Sequence, residues 1–411
     1  MRTPLVVMAV LVAALYGGWT LAAGGTREAA PPAPRAARVA PVAVIAARVE
    51  ALRGLRFREV PRAVAVTPAQ AEREGLEDLD RSYPPARRRA DEEVLKLLGL
   101  IAPSVSLRDV SAETFSEGVA GYYDPRTKRL RTVRGVATGT RVLAEMVLAH
   151  ELTHALEDQR FRLGLDAAGG DDDRALARLA LVEGTATAVM YRYVQRWFSR
   201  EELLGGVLAS AFADTGSLPP FLEAQLVFPY VGGRAFVDAL VRRAGGRWTL
   251  VDLADRVRAP ASTEQILHPE AWVRVQEPLP VSLRLSGVLG HRWRRTAGGT
   301  LGEFQTRELL AASGGGGSAQ AAAGWGGDRY ELWQRRGAGA CAAPCRRGDV
   351  LVLRWRWDTR RDEREFAARL RTWVRERPGG GGAVAVGRRG GALTLALAAS
   401  RALARRAAAA G

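Results

Sequence analysis

The stretch at residues 147–161, VLAHELTHALEDQRF, decides how the rest of this 411-residue chain is read. The chain has only four histidines. Two of them, His150 and His154, sit four residues apart, with Glu151 directly after the first. On a helix each residue turns by about 100°, so positions four apart point nearly the same way. Both imidazoles then reach one ion. Glu151 lies one step round, close to a water on that ion without ligating it. Zn2+ lowers the pKa of such a water towards ~7, and a neighbouring carboxylate takes its proton, which is the physical content of H-E-x-x-H. Met146, Val147, Leu148 and Ala149 precede the pair, and Leu152, Ala155 and Leu156 follow it. The sequence therefore predicts a largely buried helix. A buried imidazole pair needs partners, and a metal supplies them.

A catalytic zinc needs a third protein ligand and one open position. A metzincin would place Gly and His just downstream, where this chain has Glu157 and Arg160, so that class is excluded. The third ligand is expected at Glu183, in ARLALVEGTATAVMYRYVQRWF. Leu176, Leu179, Glu183, Ala186, Met190, Val194 and Trp197 recur every three or four residues, and Glu183 is the one polar member of that stripe. A carboxylate there is costly unless a cation meets it, either a metal or a buried Arg. Small Ala180 and Gly184 are expected to let this helix approach the His helix closely.

A helix bearing H-E-x-x-H followed by a second helix bearing a Glu ligand is the gluzincin plan of the zincin-fold peptidases. More narrowly, AHELTHALEDQRF, ALVEGTA and PASTEQILHPEAW resemble a little-characterised family of bacterial and archaeal zinc metallopeptidases, from Gly118 to Trp272. The final segment, with GWGGDRYELW, looks like that family's C-terminal extension. The resemblance implies an α+β fold with a zincin-like core, made of a small twisted sheet, the active-site helix and the Glu-ligand helix, followed by a smaller α+β domain. It implies one Zn2+ on His150, His154 and Glu183, Glu151 as general base, and a peptide or protein substrate. It also gives the hairpin GYYDPRTKRLRTV a role as an edge strand that pairs with extended substrate backbone; an ordinary hairpin is the alternative. The family commonly carries Asp after the Gly of the ligand motif. This chain has Thr185 there, which puts the tuning of the ligand in question.

Other residues have open roles. Asp158, four residues after His154, is expected to orient an imidazole from behind. His268 in EQILHPE either polarises the scissile carbonyl or packs as a structural histidine. Tyr122, Tyr123, Tyr191 and Tyr230 are candidate donors to an oxyanion. His291 has no recognisable partner.

Apolar residues make up 47% of the chain and charged residues 25%, which marks it as globular. The net charge of +16 is almost all arginine, with Lys96 and Lys128 as the only lysines. No nucleic-acid recognition motif accompanies it, so a specific nucleic-acid partner is not expected, and a weak attraction to anionic envelope surfaces is. Arg2 followed by TPLVVMAVLVAALYGGWTLAAGG reads as an export signal or an N-terminal membrane anchor over residues 1–25, placing the body outside the cytoplasm. Residues 26–48 read as an Ala/Pro/Arg-rich linker, 49–280 as the peptidase domain and 281–411 as the C-terminal α+β domain, in which no ligand constellation is legible. Within that last part SGGGGSAQAAAG (313–324) reads as a flexible loop. Cys341 and Cys345 form either a local disulfide or two free thiols. Two competing functions remain: a zinc-stabilised envelope protein without catalysis, and a hydrolase of a non-peptide cell-wall amide.

Overall fold

The computed structural model describes residues 38–117, 120–135, 140–163, 171–203, 218–337, 341–377 and 382–411. The expectation of an export signal or anchor at 1–25 lies outside them, as does most of the expected linker. The linker's end is different. Val42–Arg53 form helix α1, because Ile45, Ala46 and Val49 present one apolar face to the His-bearing helix. Arg53 then buries its guanidinium against Glu157, Nε to Oε1 at 2.6 Å. No helix among the described residues is long and apolar enough to cross a membrane.

A small sheet follows. Strand β1 (Ala63–Val66) pairs parallel with β3 (Arg129–Val133), and β2 (Gly121–Asp124) pairs antiparallel with β3 at the sheet's edge. Between them run α2 (Pro68–Ser82), α3 (Pro85–Leu98) and α4 (Leu107–Glu117). The Thr67 hydroxyl caps α2 by accepting from the Gln70 N–H. The Gln70 side chain donates to Glu74 instead of closing a capping box. The Asp124–Pro125 turn joins β2 to β3 as the hairpin pattern predicts.

Helix α5 (Arg141–Phe161) starts at Thr140, whose hydroxyl accepts from the Leu143 N–H, and α6 (Asp172–Trp197) starts at Asp171. Asp172 and Asp173 in its first turn complement the helix dipole. Helix α6 is buried on two sides. Val189, Met190, Tyr193 and Val194 pack with α5 and α1, while Leu176, Ala177, Ala180 and Leu181 pack with α7 (Pro220–Arg243). The small residues serve the second contact, a correction to the expected approach of the His helix. A Cβ built on Gly184 would overlap the backbone of Gly233 on α7, and one on Gly233 would overlap the Ala180 carbonyl.

Short helices α8 (Thr249–Arg256), α9 (Thr263–Leu267), α10 (Pro269–Val273) and α11 (Ser286–Leu289) lead to a five-stranded antiparallel sheet. Its order is β4 (Trp293–Gly299), β5 (Trp325–Arg335), β6 (Asp349–Trp357), β8 (Ala392–Ala398) and β7 (Ala383–Arg389). Helices α12 (Gly302–Ala311), α13 (Ser318–Ala322) and α14 (Arg360–Glu376) belong to this half, and α15 (Arg401–Ala410) packs on β7 and β8. Helix α13 interrupts the stretch expected to be a flexible loop. The arginine- and glycine-rich β4 carries no apolar alternation, so only its pairing with β5 makes it a strand.

The architecture changes near residue 280, but the apolar core crosses that line. Leu98, Phe115 and Tyr122 share one cluster with Trp325, Leu353, Trp355 and Trp373. Polar bonds cross it too: Arg87 of α3 bridges Asp91 and Asp172 and approaches the Tyr330 hydroxyl, and Asp173 accepts from Thr263. Cys341 and Cys345 are disulfide-bonded, and the Cys345 N–H donates to Glu93 at 2.5 Å.

Candidate metal centre

His150 and His154 lie on successive turns of α5, and Glu183 faces them from the middle of α6. The two Nε2 atoms are 3.0 Å apart. Glu183 Oε2 lies 3.2 Å from His150 Nε2 and 3.5 Å from His154 Nε2. Ligand bonds of ~2.0–2.1 Å in a tetrahedron put donor atoms about 3.3 Å apart. The observed separations bracket that value, and the imidazole, imidazole, carboxylate set suits a borderline-soft divalent ion. Two further atoms are buried without a hydrogen-bond partner, His154 Nδ1 and Glu151 Oε1. The three residues are the cluster able to hold a metal ion among the described residues.

The electrostatics agree with a cation-seeking site. Burial raises the Glu183 carboxyl, but the two imidazoles outweigh it and hold the group down at about 2. Burial and the neighbouring His154 push His150 below its ordinary value. Burial and the charge of Glu183 push Glu151 well above its own, and the Tyr123 N–H draws it back.

Glu151 is positioned by the sheet edge. Its Oε2 accepts from the Tyr123 N–H at 2.8 Å, and Oε1 is left over. Gly121 makes this contact possible, because a Cβ there would strike Val147 of α5 and the Arg131 carbonyl. The backbone of edge strand β2 is thus already engaged at Tyr123. Strand addition by a peptide would have to exchange that bond.

Asp158 does something other than orient an imidazole. Its carboxylate accepts from the Tyr123 hydroxyl at 2.8 Å and the Lys128 ammonium at 2.6 Å, and so ties the hairpin to the end of α5. His268 pairs with Glu303 of α12 at 2.9 Å, and among the described residues it makes no hydrogen bond or ion pair with His150, Glu151, His154 or Glu183. That pairing fits the structural alternative. The Thr185 hydroxyl donates to the Leu181 carbonyl of its own helix. Of the tyrosines, Tyr122 bonds Glu74, Tyr123 bonds Asp158, and Tyr191 lies under Arg234. Tyr230 of α7 is the one beside the centre, its ring stacked with His150 at 6.0 Å between centroids. Periodicity could not select it, because Pro229 just before it interrupts the helical pattern.

The four residues of the candidate site are shut in. Exposure is 3% for His150, 0% for Glu151, 1% for His154 and 1% for Glu183. A groove of about 750 Å³ runs between α2 and the hairpin, lined by Glu74, Tyr122, Arg129, Arg131 and Arg162 among others. Tyr123 belongs to both places: its backbone N–H holds Glu151, and the residue is part of the groove's lining.

Residues 291–407 match a family described as a domain of unknown function (DUF8575). No curated protein matches the chain. Among solved structures, one described as "a putative hydrolase with a novel fold" from Chloroflexus aurantiacus is 21% identical, covering 57% of this chain and 87% of its own, with a TM-score of 0.36. That likeness is too slight to carry either fold or function.

Proposed function

We propose that this chain is a zinc-dependent peptidase. The observation that carries the reading is Glu151 beside three donors at tetrahedral spacing. His150, His154 and Glu183 would hold the ion. Bound there, zinc supplies Lewis-acid polarisation of a carbonyl and acidifies a water. The protein's own groups do the rest. Glu151 is fixed at Oε2 by the Tyr123 N–H, so its Oε1 is the atom that takes a proton from water and returns it to the leaving amine. The hairpin edge against α5 favours a substrate in extended form, which a peptide is.

A second reading keeps the metal and drops the chemistry: zinc clamps α5 to α6 in an envelope protein. The burial of all three ligands favours it. The experiment that separates the two is metal analysis together with a peptide-library digest of wild type and Glu151→Gln. The peptidase reading expects one zinc per chain in both proteins and hydrolysis by wild type alone. Zinc in both with no hydrolysis by either selects the clamp. Absence of metal from wild type removes both. Cell-wall turnover by a wild type inert on peptides would select the amide alternative.

A further inference from the structure

A second cavity, of about 530 Å³, opens in the C-terminal half, walled by Pro280, Val281, Ser282, Ala410 and Gly411 and by four arginines, Arg284, Arg354, Arg356 and Arg389. No acidic side chain lines it; the carboxylate of Gly411 is the one anionic group in its wall, and among the described residues it forms no ion pair with the four arginines. The strand registers explain the convergence. Arg356 of β6 lies across from Ala392 of β8, which lies across from Arg389 of β7, and Arg354 is two residues along β6 on the same face. Helix α15 covers the apolar part of that face, where Val350, Val352, Ala396 and Ala398 lie, and ends at Ala410 beside the arginines. Arg388 on the opposite face of β7 is paired with Glu363 at 2.7 Å. Among the described residues the side chains of Arg284, Arg354, Arg356 and Arg389 make no ion pair or hydrogen bond.

Burial, and then Arg389 and Arg356 beside it, push the Arg354 guanidinium below its ordinary value. Gathering like charges around a hollow costs stability unless an anion occupies it. A guanidinium offers a planar fork of donors that fits phosphate or carboxylate oxygens in pairs. Here the forks arrive from two strands of one sheet and from the chain segment before α11, so they surround the cavity from several directions. A flat carboxylate satisfies one or two such forks, whereas a tetrahedral phosphate presents oxygens to all of them. The volume lies within the range of small-molecule sites, which favours a compact ligand over an extended polyanion.

We propose that this cavity is a binding site for a compact phosphate-bearing ligand, free or carried on a lipid headgroup. It is separate from the metal centre, and three of its four arginines lie within the matched domain of unknown function. The test uses the full chain. Thermal melting and calorimetric titration with inorganic pyrophosphate are compared with sodium chloride at matched ionic strength, for wild type, Arg389→Gln and Arg354→Gln. Sedimentation with vesicles bearing a phosphate-monoester lipid is compared with vesicles of equal charge bearing a carboxylate lipid. Arg389 is exposed, so its replacement leaves folding intact.

The expected result is a saturable rise in melting temperature with pyrophosphate, and binding weakened roughly tenfold or more in each variant. Without the anion each variant melts at or above the wild-type temperature, because a repulsive charge is gone. Sedimentation with the phosphate vesicles alone, lost in both variants and unaccompanied by pyrophosphate binding, assigns the ligand to a lipid. A response that does not saturate, equals that of chloride or persists unchanged in both variants overturns the proposal. So does the absence of any response to either phosphate source.

Discussion

The metal centre and the arginine cavity both gather unbalanced charge, and they differ in burial. His150, His154 and Glu183 sit between packed helices, shut away from water. On the proposed reading such a site holds a resident ion. Arg284 and Arg389 remain exposed, and Arg354 and Arg356 are half-buried, so water solvates them while the cavity is empty. Such a site tolerates a ligand that comes and goes. Depth, more than the sign of the charge, separates a structural or catalytic cofactor from an exchangeable ligand.

The largest effect that tests this contrast is on activity. Glu151→Gln should leave zinc content unchanged and lower peptide hydrolysis by roughly 10³-fold, within the usual range for a lost general base. A loss of zinc in that variant would break the assignment of Glu151 as a non-ligand.

Removing the ion comes next. If zinc is bound a thousandfold above its dissociation constant, chelation should cost about 4 kcal/mol of stability, read as a lower denaturant midpoint. Pyrophosphate withdrawal from the arginine cavity should cost less, since its groups are solvated. Equal costs would erase the distinction drawn from burial.

Gly184→Ala should destabilise by about 1–3 kcal/mol, through overlap with Gly233. It should also reduce zinc occupancy, because Glu183 rides on the same turn of α6. An unchanged melting temperature would show that α6 and α7 can separate freely.

A last test is a pH dependence at the seam between the halves. Burial, and the hydrogen bond and charge of Glu93, raise the Asp349 carboxyl from 3.8 to about 8. A folded value above the unfolded one means the folded state binds more protons between those limits, so stability falls as pH rises towards and through about 8. Asp349→Asn should flatten this part of the melting profile and raise the melting temperature at pH above 8. The arginine cavity should show no such change over the same range, because guanidinium stays protonated.

The local content of the sequence carried most of the elements and the heart of the candidate metal site. A four-residue spacing of imidazoles forces them onto one helix face, and Glu183 alone among apolar neighbours signals a partner across the helix pair. Thr67, Thr140 and Thr359 mark helix starts through hydroxyl caps, chemistry that depends on neighbours two or three residues away. The extra start of order at Val42 and the strand β4 were less legible, because each exists through a partner distant in the chain.

Tertiary structure decided the rest. Asp158 has the spacing to support His154, yet the hairpin brings Tyr123 and Lys128 to it first. Gly184 promised closeness to α5 and delivers it to α7, since spacing says which face is small but not which helix lies against it. The arginine cavity was invisible because Arg284, Arg354, Arg356 and Arg389 are spread over more than a hundred residues and meet only through strand pairing. Sequence alone fixes what lies within a few turns of one helix, where backbone geometry sets the distances. Which distant side chains share a volume is set by packing and register, and so belongs to the fold.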